Sequence, residues 1–345
     1  MLFQVILVKY FTGLVISFFG LVIANIVWAI MIIVILSTRG VYYLLQNKGI
    51  LESVAVSPIL RWLLIIDIIW IVAFVIYLYS RKKFRTETNK HFLQYNPIET
   101  PKICVVIPAY NEEGSIQQVV NGFRSQKYVK DVLVIDNHSE DKTVELARKS
   151  GATVITKDKN MGYAHSWVLG LRKALSTDAN LIVITEADGT LSGDDLPKMI
   201  PYIQHCDVIH GSRQVQILTE DGNLRQETIH VWGNYVLSKI IQLKYLNLIH
   251  LGIVNLNDIG CGYRMYRRDV IEKMQDQFTY PETDIPVAGI VFPIYLTMKL
   301  LENDFRIIEV PVTYKKRVGK PKVSSTSLIK NIIQGFLDIG VILKY

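Results

Sequence analysis

The sequence predicts an α/β fold, Rossmann-like with a mostly parallel sheet, carried behind an N-terminal hairpin of two transmembrane helices. Three observations predict it. Charge is unevenly spread: residues 1–80 hold only Lys9, Arg39, Lys48, Glu52, Arg61 and Asp67 of the 38 basic and 31 acidic side chains in the 345 residues. Beyond residue 100, apolar runs of strand length alternate with helix-length amphipathic segments, the pattern of βαβ units. The residues of chemical interest stand where those apolar runs end, and open parallel sheets bind ligands at the carboxyl ends of their strands.

In chain order, the membrane hairpin comes first, over residues 1–80. Tyr10 to Thr38 is uncharged for 29 positions, longer than the ~20 residues a spanning helix needs. Trp62 to Ser80 has Asp67 as its only charge. These windows predict helices at about 11–37 and 62–80. A cleaved signal peptide fits this stretch poorly, because its apolar core is about 7–15 residues. Arg81, Lys82, Lys83 and Arg85 follow the second helix, whereas the intervening loop has only Arg39, Lys48 and Arg61. Positive charge marks the cytoplasmic side, so the expectation is a multi-pass cell-membrane protein with both termini and its soluble domain in the cytoplasm. Asp67 reads as an acid near the outer interface, and Trp62 as an interface residue. Residues 81–100 read as a basic juxtamembrane linker.

The main domain is expected over 101–323, with strands at 103–108, 131–136, 152–156, 181–188 and 207–212. Helices are expected at 115–123, 140–149, 163–175 and 194–203. Residues 324–345 read as an amphipathic helix, with Leu328, Ile329, Ile332, Ile333, Phe336 and Leu337 at helical spacing. It would lie on the bilayer surface or pack on the domain. The net charge of +7 suits a membrane surface better than a nucleic-acid partner. Cys104, Cys206 and Cys261 are odd in number and far apart, which fits a reducing compartment rather than a disulfide framework or a zinc site.

The chemistry starts at Glu186-Ala187-Asp188. Two carboxylates leaving a strand into a glycine-containing turn can share one hard cation, Mg²⁺ or Mn²⁺, which takes oxygen ligands and substrate phosphates. No GxGxxG follows the first strand and no GxxxxGK[ST] occurs, so neither a dinucleotide nor a Walker-type site is expected. His138 and His165 have no partner at metal-ligand spacing and read as ordinary polar or core residues.

Seven segments occur in a familiar order: VVIPAYNEE (105–113), VIDNHSED (134–141), NMGYAHSWVLGL (160–171), TEADGT (185–190), HGSR (210–213), DIGCGYRMYRRD (258–269) and EVPVTYKKRVGKPK (309–322). Together they resemble the family-2 glycosyltransferases of the GT-A fold, in the dolichol-phosphate mannose synthase-like, polyprenyl-phosphate branch. The resemblance implies that Pro108, Ala109, Tyr110 and Glu112 hold the nucleoside, that Ile135 and Asn137 line the base pocket, and that Gly162 belongs to the donor site. It implies that Glu186, Ala187 and Asp188 meet ribose, diphosphate and metal, with Thr190 as a third metal contact. It places Arg213, Arg317 and Lys322 against phosphate oxygens. The implied activity is metal-dependent, inverting transfer of a sugar from a nucleotide sugar to a polyprenyl phosphate at the cytoplasmic leaflet.

The chain departs from the family pattern in several places. Glu186 replaces the usual aspartate, Thr190 a frequent glutamine, and Cys261 the serine before the Gly-aromatic pair. A glutamate common near 292–296 is missing, and so is the QxxRW of processive synthases. An asparagine at 137 offers uracil one acceptor and one donor, which favours a UDP-sugar over a GDP-sugar. Two rival readings remain. The acceptor could be a hydroxyl of a glycolipid or glycan, with Asp258 as its base, or the chain could be a membrane-tethered sugar-nucleotide-binding protein without turnover.

Overall fold

A computed structural model of the chain describes residues 95–214, 228–245, 255–277 and 291–319, with further helical positions at 65, 68, 69, 71, 72, 335, 337–340 and 342. Apart from those positions, the helices expected at 11–37, 62–80 and 324–345 lie outside the described residues, as do most of the linker and Lys322. No described helix is long and apolar enough to cross a membrane. The chain divides into two compact units, and the fold below belongs to the one comprising Thr88–Leu246 and Gly252–Leu343.

Seven strands form one sheet: β1 (Ile103–Ala109), β2 (Val129–Asp136), β3 (Thr153–Thr156), β4 (Leu181–Ile184), β5 (Val208–Ser212), β6 (Arg264–Arg267) and β7 (Ile307–Pro311). Their order is β3-β2-β1-β4-β6-β5-β7. β1 pairs in parallel with β2 and β4, β2 with β3, and β5 with β7, whereas β6 runs antiparallel to both β4 and β5. The mostly parallel α/β sheet expected from the sequence is therefore present, with β6 as its one reversed strand.

Helices α1 (Ile116–Arg124), α2 (Thr143–Lys149), α3 (Tyr163–Ala174) and α4 (Leu196–Ile203) fill the crossovers. All seven residues of β1 are buried, as befits a central strand covered on both faces. α1 turns Ile116, Val119, Val120 and Phe123 inward, at the spacing that puts apolar residues on one helical face. They join Ile103, Val105 and Ile107 in the main core. The opposite face meets α3, where Gly170 makes the approach possible. A Cβ there would stand 2.2 Å from Val106 Cγ1.

Several boundaries differ from expectation, among them those of β4, α2 and β2. β4 stops at Ile184 instead of running to 188, because Asp188 Oδ1 accepts the Thr190 N–H at 3.0 Å and Gly189 takes φ +80. The carboxylates thus sit in a turn. α2 begins at Thr143 rather than 140, since Asp141 Oδ1 accepts the Thr143 N–H at 2.9 Å and holds the preceding residues in a turn. β2 begins two residues early, at Val129.

The strands β6 and β7 and the helices α5 (Thr228–Lys244), α6 (Arg268–Met274) and α7 (Phe292–Glu302) complete the described fold. β6 reads Arg-Met-Tyr-Arg yet is buried throughout. Arg264 is the reason: its guanidinium donates to the carbonyls of Ile259 (2.6 Å), Pro293 (2.9 Å) and Cys261 (3.1 Å). It also lies 5.5 Å from the Trp167 ring centroid. This anchors the loop before β6 against α3 and α7. At the C-terminus, Ile342 is buried and its carbonyl accepts the Lys244 ammonium at 2.6 Å, while Leu337 is exposed.

Candidate active site

Because six strands run one way and β6 the other, one edge of the sheet collects the carboxyl ends of the six and the approach to the seventh. Tyr110 and Glu112 follow β1, Asn137 follows β2, Glu186 and Asp188 follow β4, and Arg213 follows β5. Arg317 follows β7, and Asp258, Cys261 and Gly262 precede β6. Residues spread over some 200 positions thereby meet, in the place where parallel sheets bind ligands.

The acidic turn forms the centre. Asp188 is buried and accepts the Thr190 hydroxyl at 2.6 Å. The same hydroxyl reaches Glu186 Oε2 at a longer 3.5 Å, so it sits between the two carboxylates. Glu186 packs against Gly262, where a Cβ would come within 2.3 Å of Oε1. Burial first and the Asp188 charge second push the Glu186 carboxyl up to about 7, against the pull of Arg213 and Arg317. An acid held this way gains from any added positive charge.

The segment after β7 is laced to this turn. Thr313 N–H donates to Asp195 at 2.8 Å, Lys315 N–H to the Thr190 carbonyl at 2.8 Å, and Val318 N–H to the Asp188 carbonyl at 3.1 Å. These bonds deliver Arg317, which donates to Asp188 Oδ2 at 2.6 Å and to Glu112 Oε1 at 2.8 Å. Arg213 forms a two-pronged pair with Asp258, Nε to Oδ2 at 2.8 Å and Nη2 to Oδ1 at 2.7 Å, while its own N–H adds a third bond at 3.0 Å. Both Asp258 oxygens are therefore committed to Arg213.

On the nucleoside side, the loops after β1 and β2 are stitched together. Asn111, at φ 52, accepts the Glu140 N–H at 2.8 Å and donates its own N–H to Ser139 Oγ at 2.9 Å. Glu112 N–H donates to Thr143 Oγ1 at 2.7 Å. Pro108 and Ala109 are buried at the end of β1, Tyr110 is half-buried beside them, and Ile135 is fully buried beneath α3. The Asn137 amide donates to Asn160 Oδ1 at 2.7 Å and accepts the Met161 N–H at 3.0 Å. It holds the loop that ends at Gly162, where φ is +86. The donor-acceptor pattern read from the sequence as matching uracil is thus engaged within the protein.

Sequence reasoning passed over Lys157, Asn160, Asn257 and Glu309. Asn160 and Glu309 lie inside the matching segments, but their roles depend on partners distant in sequence. Lys157 is buried after β3, donates to Ser166 Oγ at 2.8 Å and sits 3.4 Å from His165 Nδ1. A cleft of about 520 Å³ opens there, between Thr156–Lys159 and the face of α3 bearing His165, Leu169 and Arg172. It does not include the acidic turn, so the chemistry is located by the convergence of side chains rather than by this cleft.

Residues 104–275 match the profile of Glycosyl transferase family 2. They are a family 2 glycosyltransferase domain. The match begins in β1 and runs to the end of α6, so it contains the acidic turn, Arg213 and Asp258. Among curated relatives, the glycosyltransferase is 28% identical over 237 residues to the polyprenol monophosphomannose synthase of Mycolicibacterium smegmatis, covering 66% of this chain and 83% of that enzyme. It is 27% identical to the undecaprenyl-phosphate mannosyltransferase of Micrococcus luteus, covering 65% and 88%. These relatives support the dolichol-phosphate mannose synthase-like branch. Among solved structures, glucosyl-3-phosphoglycerate synthase from Mycobacterium tuberculosis, in complex with Mn²⁺, UDP and glucosyl-3-phosphoglycerate, shares 16% identity. That match has a TM-score of 0.49 and covers 71% of this chain and 80% of that one.

Proposed function

We propose that this glycosyltransferase moves a hexosyl group from a nucleoside diphosphate sugar to a polyprenyl phosphate, in one inverting displacement at the cytoplasmic face of a membrane. The observation that carries the reading is the pair of arginines, Arg213 and Arg317, converging on the Glu186–Asp188 turn from β5 and from the segment after β7. Two phosphate-bearing substrates need such cations, one for the leaving diphosphate and one for the attacking phosphate. The two relatives named for polyprenol and undecaprenyl phosphate support this acceptor.

The state of Asp258 favours phosphate over hydroxyl. A hydroxyl acceptor needs a free base, and both oxygens of Asp258 are bonded to Arg213. A phosphate monoester, with its second pKa near ~6, is already largely ionised at neutral pH. The chain's task is then alignment and charge control. Arg213 and Arg317 orient phosphate oxygens, and Glu112 and the Asn137-held loop shape the nucleoside side.

The donor set fits a hard cation: two carboxylates and the Thr190 hydroxyl are all oxygen, and the Glu186 carboxyl, raised by burial and by the Asp188 charge, would be relieved by a bound cation. Asp188, Glu186 and Thr190 would hold Mg²⁺ or Mn²⁺, with substrate phosphates completing the shell. The bound ion would neutralise charge on the departing diphosphate.

Membranes carrying the wild type or Asp188→Asn, incubated with labelled UDP- and GDP-hexoses, test the reading. Wild type should yield a lipid-extractable, mild-acid-labile product that EDTA abolishes, and the variant none. A mild-acid-stable product would assign a hydroxyl acceptor. The same assay decides the nucleotide, since Asn137 is engaged elsewhere. Membrane topology is tested by cysteine labelling of intact cells. A site engineered in 40–58 should react from outside, and sites in 86–100 should not. The buried thiols of Cys104, Cys206 and Cys261, pushed up to about 12 chiefly by burial, should stay silent.

A further inference from the structure

We infer that Glu309 is a positioning residue for glycosyl transfer, fixing the Arg213 guanidinium through Asn257 and Asp258. Glu309 lies within β7, in register with His210 of β5. Its Oε1 accepts two backbone N–H groups, from Asn257 at 2.7 Å and Asp258 at 2.8 Å, and its Oε2 accepts Asn257 Nδ2 at 3.0 Å. On its other side, Asn257 Oδ1 accepts the Lys239 ammonium at 3.0 Å. The Asn257 carbonyl accepts the Gln214 amide, from the residue next to Arg213.

The network has one consistent orientation. An ammonium can only donate, so the Asn257 oxygen faces Lys239 and its NH₂ faces Glu309. Glu309 must therefore present acceptors on both oxygens while receiving two consecutive backbone N–H groups. Only a carboxylate does this. The two backbone bonds set the position of the Asp258 α-carbon, and the Asp258 carboxylate then takes Arg213 by three bonds. Strand packing alone gives no reason for a carboxylate here. Burial pushes the Glu309 carboxyl up, and its bonds to Asp258 and Asn257 pull it back. The group stands at this cost where a loop must be held for Arg213.

The test uses the full-length enzyme in detergent, following nucleotide release with whichever acceptor supports turnover. Glu309→Gln keeps the size and one acceptor but turns an NH₂ toward the Asn257 NH₂. It should lower kcat by about 10- to 100-fold, with the donor KM within about 3-fold and the loss exceeding any fall in folded fraction. In an Asp258→Asn background the same change should add little, because the two residues act in series. Combining Glu309→Gln with Asn257→Asp restores acceptors toward both the Lys239 ammonium and the introduced amide NH₂, and should recover most of kcat. A loss that tracks folded fraction, full additivity with Asp258→Asn, or no recovery in the Asn257→Asp pair would each overturn the inference. The inference rests on the phosphate-binding role of Arg213. A wild type inactive with polyprenyl phosphate but active with a hydroxyl acceptor would remove the proposed acceptor, while the Glu309–Asp258 coupling is still measured by nucleotide release.

Discussion

One added methyl group, Gly262→Ala, probes the acidic turn without removing either carboxylate. The new Cβ would stand 2.3 Å from Glu186 Oε1, 2.9 Å from its Cγ and 3.0 Å from its Cδ. Comfortable contacts between carbon atoms begin near ~3.5 Å, so the Glu186 carboxylate must retreat by roughly 1 Å. Every atom met belongs to one flexible side chain, so the cost to folding should stay at the low end for overpacking, about 1 kcal/mol. In a domain of this size that is about 2–4 °C in Tm. The cost to the site should be larger, because displacing a ligand group by about 1 Å commonly costs 10- to 100-fold. Thermal melts and activity titrated with Mg²⁺ or Mn²⁺ measure both effects. The apparent metal requirement should rise about tenfold or more while Tm barely moves. Gly170→Ala is the opposite control: its Cβ would meet Val106 Cγ1 at 2.2 Å and Ile135 Cγ1 at 3.1 Å, within the sheet. It should cost about 2–3 kcal/mol of stability and leave the metal titration unchanged. A Gly262→Ala enzyme with wild-type metal dependence and turnover would refute the placement of Glu186 in the cation site.

Two further outcomes are expected. Burial, opposed by the Asp136 charge, brings the Lys157 ammonium down to about 8 from an ordinary 10.5. The folded value lies below the unfolded one, so burying the charged form costs stability below about pH 8. The wild type should then gain up to ~3 kcal/mol between about pH 8 and 10.5. Urea melts of wild type against Lys157→Met should show that difference growing across the window, and a flat difference would show that the ammonium is not desolvated. Arg317→Ala removes the cation bonded to Asp188 and Glu112 and should lower turnover by about 10²-fold or more with any acceptor. Turnover within a few-fold of wild type in purified enzyme would take Arg317 out of phosphate binding.

The α/β class, the strands and helices of the first half of the domain, and the acidic pair Glu186 and Asp188 beyond β4 are legible in the order of residues, although the turn that holds the pair is not. Those features are local. β1 and β4 are unbroken apolar runs, α1 shows its buried face by spacing alone, and acids at a strand end are visible without knowing what lies opposite. Other features exist only once the chain is folded. β6 was not legible because Arg264 and Arg267 look like surface residues until the carbonyls that bind them are in place. Asn137 read as a base-recognition residue, and only the fold shows its amide engaged by Asn160 and Met161. Asp258 read as a possible base, and only the fold brings Arg213, 45 residues away, onto both its oxygens. A strand's apolar pattern survives in one dimension because burial is repeated along it. A polar side chain's role depends on which single partner meets it, and that is settled when β6 reverses direction and brings the 257–263 loop to the edge where the parallel strands end.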